Sequence, residues 1–351
     1  MYKSTFDRTG FGMSEEFGSA CVLIDDQVRA ARSGVVVYDA STWGRILVSD
    51  GDRLRFLHNQ TTNTFQSRQP GEGCDTVFVT STGRTIDLAT AYVLEDSVLL
   101  LVSPSRREFL MNWLDRFIFF ADQVKLADVT EETMALVLIG PESDRLLETL
   151  GAGDRPDQPY GSHAVYPIAG AAVRVAVGSG LGLPGYTLIA PVAAADTLRT
   201  ALHTAGATKL EEAAWERLRI EQGRPMPDHE LTEDYNPLEA GLWHTISLNK
   251  GCYIGQETIA RLHTYRGVKQ QLWGVQFNAT VPPGAVLTSG EDQASGEDKV
   301  GRLTSVVETE SGSLGLSYIR TKAIEAGLRT VKAGHATGTL LPLPFLSHEY
   351  L

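Results

Sequence analysis

The sequence predicts an α+β protein: two interwoven mixed modules followed by a small antiparallel β-barrel. Three observations carry that prediction. Strand-like runs and amphipathic helices are mixed rather than strictly alternating, which disfavours a doubly wound parallel sheet. The length of 351 residues exceeds one ordinary domain. Beyond residue 268 the chain becomes short strands punctuated by PPG, SGEDQASGED and ESGS, the pattern of a small barrel or sandwich.

Residues 1–26 read as a loose leader, with acidic residues and no hydrophobic segment of the kind a signal peptide needs. GVVVYDAS and RILVSDGD are strand-like, and Asp50 is placed to cap a helix over RLRFLHNQ. DTVFVT, TIDLATAYVL and SVLLLV predict three further strands with turns at Thr82-Gly83 and Glu95-Asp96. Ser103 and Pro104 then form an N-cap and N1 pair, with Phe109, Leu110, Trp113, Leu114 and Phe117 along one helical face. TMALVLIG predicts a buried strand, and Pro141 opens a short helix ending near Leu150. The loop GAGDRPDQPYGS divides a first module, 27–150, from a second, 151–267, which repeats the mixture with strands AVYPIAG, VRVAVGS and GYTLIAP. The barrel takes 268–351.

Bulk properties exclude several classes. A net charge of -12 argues against direct nucleic-acid binding through a general basic face. The longest apolar run, VLLLV, is far below bilayer length, so no membrane partner is expected and the location reads as cytoplasmic. Cys21, Cys74 and Cys252 form no C-x-x-C pair, and the eight histidines show no ligand spacing, so no metal site is expected.

Two stretches carry candidate chemistry. In TKLEEAAWERLRIEQGRP, Thr208 and Glu211 have capping-box spacing, and Gly223 with Pro225 supplies the stop. Projection at about 100° per residue puts Glu221 on the inward stripe of Leu210, Ala214 and Leu218, at the end where the helix dipole disfavours an anion. Two compensations are open: an i,i+4 pair with Arg217, or a ligand offering side-by-side N–H donors, as a pterin does. In KGCYIGQE, from Lys250 to Glu257, Gly251 and Gly255 permit close backbone approach, and QETIARLH can start a helix. Between His244 and Gln270, Lys250, Arg261, Arg266 and Lys269 face Glu257 alone, which suits a small anion. Lys250 and the helix start would favour the Cys252 thiolate; a small buried cysteine in a glycine turn is the plainer reading. Tyr253 can stack on a ligand or pack the turn, and Gln256 and Glu257 can cap the helix.

KGCYIGQE resembles the signature of the YgfZ-type folate-binding proteins, relatives of the glycine cleavage T-protein (aminomethyltransferase). FLHNQTTNTF, GRTIDLATAYVL, LRIEQGRP with NPLEAGL, and KVGRLTSVV with LGLSYIR extend the resemblance along nearly the whole chain after Asp26. It implies a three-module cloverleaf around a channel that admits tetrahydrofolate or a derivative. Glu221 would grip the pterin, and Asn63, Lys250, Gly251, Tyr253, Gly255, Gln256 and Arg261 would lie around the cofactor. The sequence departs from the T-protein pattern at Leu88, in the second acidic place after Asp87, and at Thr64, after Asn63. Those losses weaken the expectation of aminomethyl transfer, which needs electrostatic help at the amine. The resemblance implies an accessory role in assembling or repairing iron–sulfur enzymes, including enzymes that modify tRNA, with Cys252 as the working residue. The alternative is a folate-dependent aminomethyl or one-carbon transferase using Asp87.

Overall fold

A computed structural model describes residues 13–153, 158–289 and 298–348, with the side chains of 13–21 left aside. The SGEDQASGED loop expected from the sequence lies mostly outside the described residues. In chain order the elements are α1 (Met13–Ser33), β1 (Val36–Asp39), β2 (Gly44–Ser49), α2 (Arg53–Gln60), β3 (Gly73–Val79), β4 (Thr85–Val93) and β5 (Ser97–Val102). Next come α3 (Arg107–Asp115), β6 (Lys125–Asp128), β7 (Thr133–Ile139), α4 (Ser143–Thr149), β8 (His163–Ile168), β9 (Ala171–Val177) and β10 (Gly185–Pro191). Then follow α5 (Ala195–Thr204), β11 (Thr208–Leu210), α6 (Glu212–Gln222) and α7 (Gln256–Thr264). The last part holds β12 (Gln270–Phe277), β13 (Val286–Thr288), β14 (Lys299–Thr309), β15 (Gly312–Arg320), α8 (Thr321–Glu325), β16 (Thr330–Ala333) and β17 (Ala336–Leu341).

These strands form a five-stranded sheet, β3-β4-β5-β2-β6, a six-stranded sheet, β11-β1-β7-β10-β9-β8, and a closed barrel, β12-β15-β14-β13-β16-β17. The mixed α+β class and the C-terminal antiparallel barrel are therefore those the sequence predicts. The two sheets interleave in the chain, because β1 pairs with β7 and β11 while β2 to β6 build the other sheet. Period-two alternation explains how the modules share walls. In β5, Val98, Leu100 and Val102 enter the core with α2 and α3, while Leu99 and Leu101 face the cluster that holds β1, β7 and α6. Such a strand is apolar throughout because both faces are covered.

Several local expectations change. The leader is helical from Met13, and α1 packs on α6. Asp52, not Asp50, precedes α2, and Asp50 adopts φ 81. Thr208 belongs to β11, so the capping box does not form; Glu211 stands at the N-cap of α6 with no side-chain cap. Gly223 closes α6 in the left-handed conformation at φ 89, as the stop signal requires. Pro104 opens a short 3-10 turn ahead of α3, which ends at Asp115 and leaves Phe109 exposed.

A buried polar network fastens the barrel to the rest. Arg219 and Glu230 are both fully buried and pair at 3.1 Å. Glu230 also accepts from Thr304 and Ser305 of β14, each at 2.6 Å, and from the Met226 amide. Arg219 reaches Ser305 and Glu216. Each charge thus has a full set of partners, the condition for burying an ion pair.

Candidate functional site

The KGCYIGQE segment closes the end of α2. Helix termini leave carbonyls without intrahelical donors. Here Thr61 Oγ1 donates to Leu57 O at 2.9 Å, Ile254 N donates to Asn59 O at 3.0 Å, and Lys250 Nζ donates to His58 O, Thr61 O and Asn63 O. Burial pushes Lys250 down to about 7, against three carbonyls that favour its protonated form. The Tyr253 ring is buried beneath the ammonium, 4.7 Å from Nζ to its centroid. Gly255 takes φ 79, and a methyl group there would lie 2.7 Å from Thr80 O, so only glycine fits where α7 starts. Asn63 is likewise engaged: its Nδ2 donates to Asp75 O at 2.7 Å and its Oδ1 accepts from the Thr64 amide at 2.8 Å.

Lys250, Tyr253, Gly255 and Asn63, expected from the sequence to lie around a ligand, all make contacts within the chain. Gly251 is exposed, Gln256 is half-buried in the first turn of α7, and Arg261 is exposed on the same helix; neither Gln256 nor Glu257 supplies a cap. Cys252 is exposed on this pinned loop, whereas Cys74 is buried and its thiol is pushed up to about 12.

Glu221 takes the first of its two compensations. Its Oε1 accepts from Arg217 Nε at 3.0 Å, and its Oε2 pairs with Arg32 of α1; Arg217 also pairs with Asp25. The carboxylate turns toward a groove of about 410 Å³ between α1, α6 and the β14–β15 turn, rather than into the core. Asp87 is fully buried in β4. Ser103 donates to it twice, from the amide at 3.0 Å and from Oγ at 2.6 Å, and burial raises its pKa to about 6.

The sequence reasoning missed a cluster of polar and aromatic side chains drawn from separate segments. Tyr160 donates its hydroxyl to Asp75, 2.9 Å from either oxygen, and Asp75 also accepts from Thr90 at 2.6 Å. Tyr160 and His244 are exposed, yet desolvation raises the Tyr160 pKa and lowers that of His244. The charges of Asp75 and Arg224 both act on His244, whose ring meets Phe345 edge-on at 5.4 Å. Arg224 lies over the opposite neighbour, Trp43, at 5.1 Å, and over Phe345 at 5.5 Å. Asp75, at the head of DTVFVT, was the available signal: a carboxylate in a strand that is buried along its whole length. Among the described residues, no group of three or more His, Cys, Asp or Glu is placed to hold a metal.

The comparisons with known proteins agree with this architecture. A chloroplastic protein of Arabidopsis thaliana that carries a transferase's name is 44% identical over 93% of this chain and 74% of its own length. The aminomethyltransferase of Rubrobacter xylanophilus is 27% identical over 90% of this chain and 84% of its own. The crystal structure of the glycine cleavage system aminomethyltransferase T from Bartonella henselae superposes with a TM-score of 0.78 at 17% identity, covering 93% of this chain and 91% of that one; this likeness shows a shared fold. A cytoplasmic placement gains no support from the Arabidopsis relative, whose name puts it in the chloroplast. Residues 4–250 match the GCVT N-terminal domain, and the chain belongs to that family.

Proposed function

We propose that this chain is a tetrahydrofolate-binding accessory protein that supports the assembly or repair of iron–sulfur enzymes through the Cys252 thiol. One contrast carries the reading. Asp87, the acid a transferase would keep available, is sealed in β4 with Ser103 on both oxygens, while Cys252 stands exposed on a rigid loop. A carboxylate already holding two donors cannot place an incoming amine, and a thiol at the surface can meet a partner protein. The motif resemblance supports the iron–sulfur clients, and the aminomethyltransferase relatives support the folate.

The aromatic cluster around His244 suits a folate better than the Glu221 groove does, because Phe345, Tyr160 and His244 offer rings against which a flat bicycle can pack. Glu221 could join only by exchanging Arg32, an exposed side chain on another helix. When bound, tetrahydrofolate would supply nitrogens that carry a one-carbon unit.

Titration of the full chain with tetrahydrofolate tests the ligand. Saturable binding that is retained in Cys252→Ala and lost in His244→Ala is expected; no saturation in the wild type removes the proposal. Complementation of a deletion strain, read as the activity of iron–sulfur enzymes, should fail with Cys252→Ala and succeed with Asp87→Asn. The second reading, a folate-dependent aminomethyl or one-carbon transferase, draws on the relatives' names and expects the opposite sensitivities.

A further inference from the structure

We infer that the slot beside Arg224 is a binding site for a small planar oxyanion, of the size of formate or bicarbonate. Arg224 is 3% exposed and cannot shed its proton inside a protein. Its Nη1 donates to Gly180 O at 2.8 Å. Its Nε is buried without an acceptor, and Nη2 donates to no protein atom. Among the described residues no carboxylate pairs with it, although Asp87 lies within the reach of its field.

The chain treats its other deeply buried arginines differently. Arg219, fully buried, pairs with Glu216 and Glu230. Arg45, 1% exposed, donates to Thr133, Ser41, Trp43 and Thr130 from all three nitrogens. A buried cation whose Nε has no acceptor is expensive to leave so. The unused Nε and Nη2 form one edge of the guanidinium, the fork that meets a carboxylate or carbonate edge with two parallel hydrogen bonds.

The slot sets the ligand's size. Tyr38, Trp43, Trp215, Leu101 and Val137 wall it together with Arg224. It offers about 30 Å³ of water-sized space, room for roughly two waters at 10–15 Å³ each. The hydroxyls at its edge already donate elsewhere: Thr90 to Asp75, Ser179 to Leu183 O and Thr187 to Gly178 O. Arg224 is therefore the slot's charged donor, and an anion of three or four non-hydrogen atoms fills the space. This site does not depend on the folate reading.

The test is thermal unfolding of the full chain in formate, bicarbonate, acetate, propionate and chloride at equal ionic strength, read by tryptophan fluorescence because Trp43 and Trp215 line the slot. Formate should raise the melting temperature saturably, by on the order of 5 °C at a hundredfold excess over its Kd. The effect should shrink with acetate, vanish with propionate, and disappear in Arg224→Met. Equal responses to formate and chloride, or a response surviving in Arg224→Met, would overturn the inference. Competitive displacement of formate by tetrahydrofolate would also overturn it, by making the folate's own carboxylate the partner. If Arg224→Met does not fold, the size series on the wild type decides alone.

Discussion

Replacing Glu230 with glutamine tests whether the buried network is what docks the barrel. The substitution keeps the shape and removes the charge that faces Arg219 at 3.1 Å. Both side chains are fully buried, so water cannot replace the lost partner. Glutamine's amide nitrogen would also point a donor at either the Arg219 guanidinium or the Met226 amide, which now donate to the same carboxylate oxygen. The remaining oxygen can still accept from Thr304 and Ser305. Breaking one side of a buried ion pair costs about 3–5 kcal/mol. Arg219 retains Glu216, which is 39% exposed and compensates weakly, so a loss of about 3 kcal/mol is expected for Glu230→Gln. Urea unfolding followed by circular dichroism measures it, with the same experiment on Arg219→Met/Glu230→Met as the control. That double variant should recover most of the loss, because apolar groups of similar volume leave no stranded charge. A Glu230→Gln change below about 1 kcal/mol would refute the argument, since a stranded Arg219 could not be that cheap.

Three further outcomes follow from the same contacts. Lys250→Met should destabilise by about 2 kcal/mol, because three α2-end carbonyls lose their donor while the stem still packs on Tyr253; reaction of Cys252 with a thiol reagent should quicken as its loop loosens. Asp87→Ala should cost about 2–3 kcal/mol by leaving the Ser103 amide unpaired, while Asp87→Asn, which can satisfy both Ser103 groups, should stay within about 1 kcal/mol at pH 7. His163 has its pKa lowered from 6.5 to about 4 by burial, with Arg174 donating to its Nδ1 at 2.8 Å. The unfolded state therefore takes up the proton first, so stability present above pH 6.5 is lost as pH falls toward 4. His163→Gln should remove a share of that slope on the order of 3 kcal/mol, read from urea midpoints at pH 7 and pH 4.5.

Much of the fold was legible because burial is periodic. Most strands of both sheets could be read from runs such as SVLLLV and TMALVLIG, whose alternate residues serve two cores, whereas β6 and β11 could not. The start of α1 was not legible: the stretch MSEEFGSA lacks the apolar stripe by which a helix is recognised, and the helix packs on α6. The capping box at Thr208 failed for a related reason. Parallel pairing of β11 with β1 claims Thr208 through Leu210 and overrides the local signal.

The site was harder, because it is built from residues with no neighbours in common along the chain. Asp75, Tyr160, Arg224 and His244 come from four separate segments, and each alone has an ordinary reading. Glu221 shows the converse: its helical position is unusual, yet Arg217, one turn before it on α6, and Arg32, distant in sequence on α1, account for it. The opening motif is where sequence and structure meet most closely. Lys250 must reach back to α2, Tyr253 must lie under it, and Gly255 must turn into α7, so the spacing of KGCYIGQE is dictated by mechanics. None of those duties requires a cysteine at 252. Cys252 is exposed on that loop while Asp87 is sealed against Ser103, and that contrast is why the thiol rather than the carboxylate stands at the centre of the proposed function.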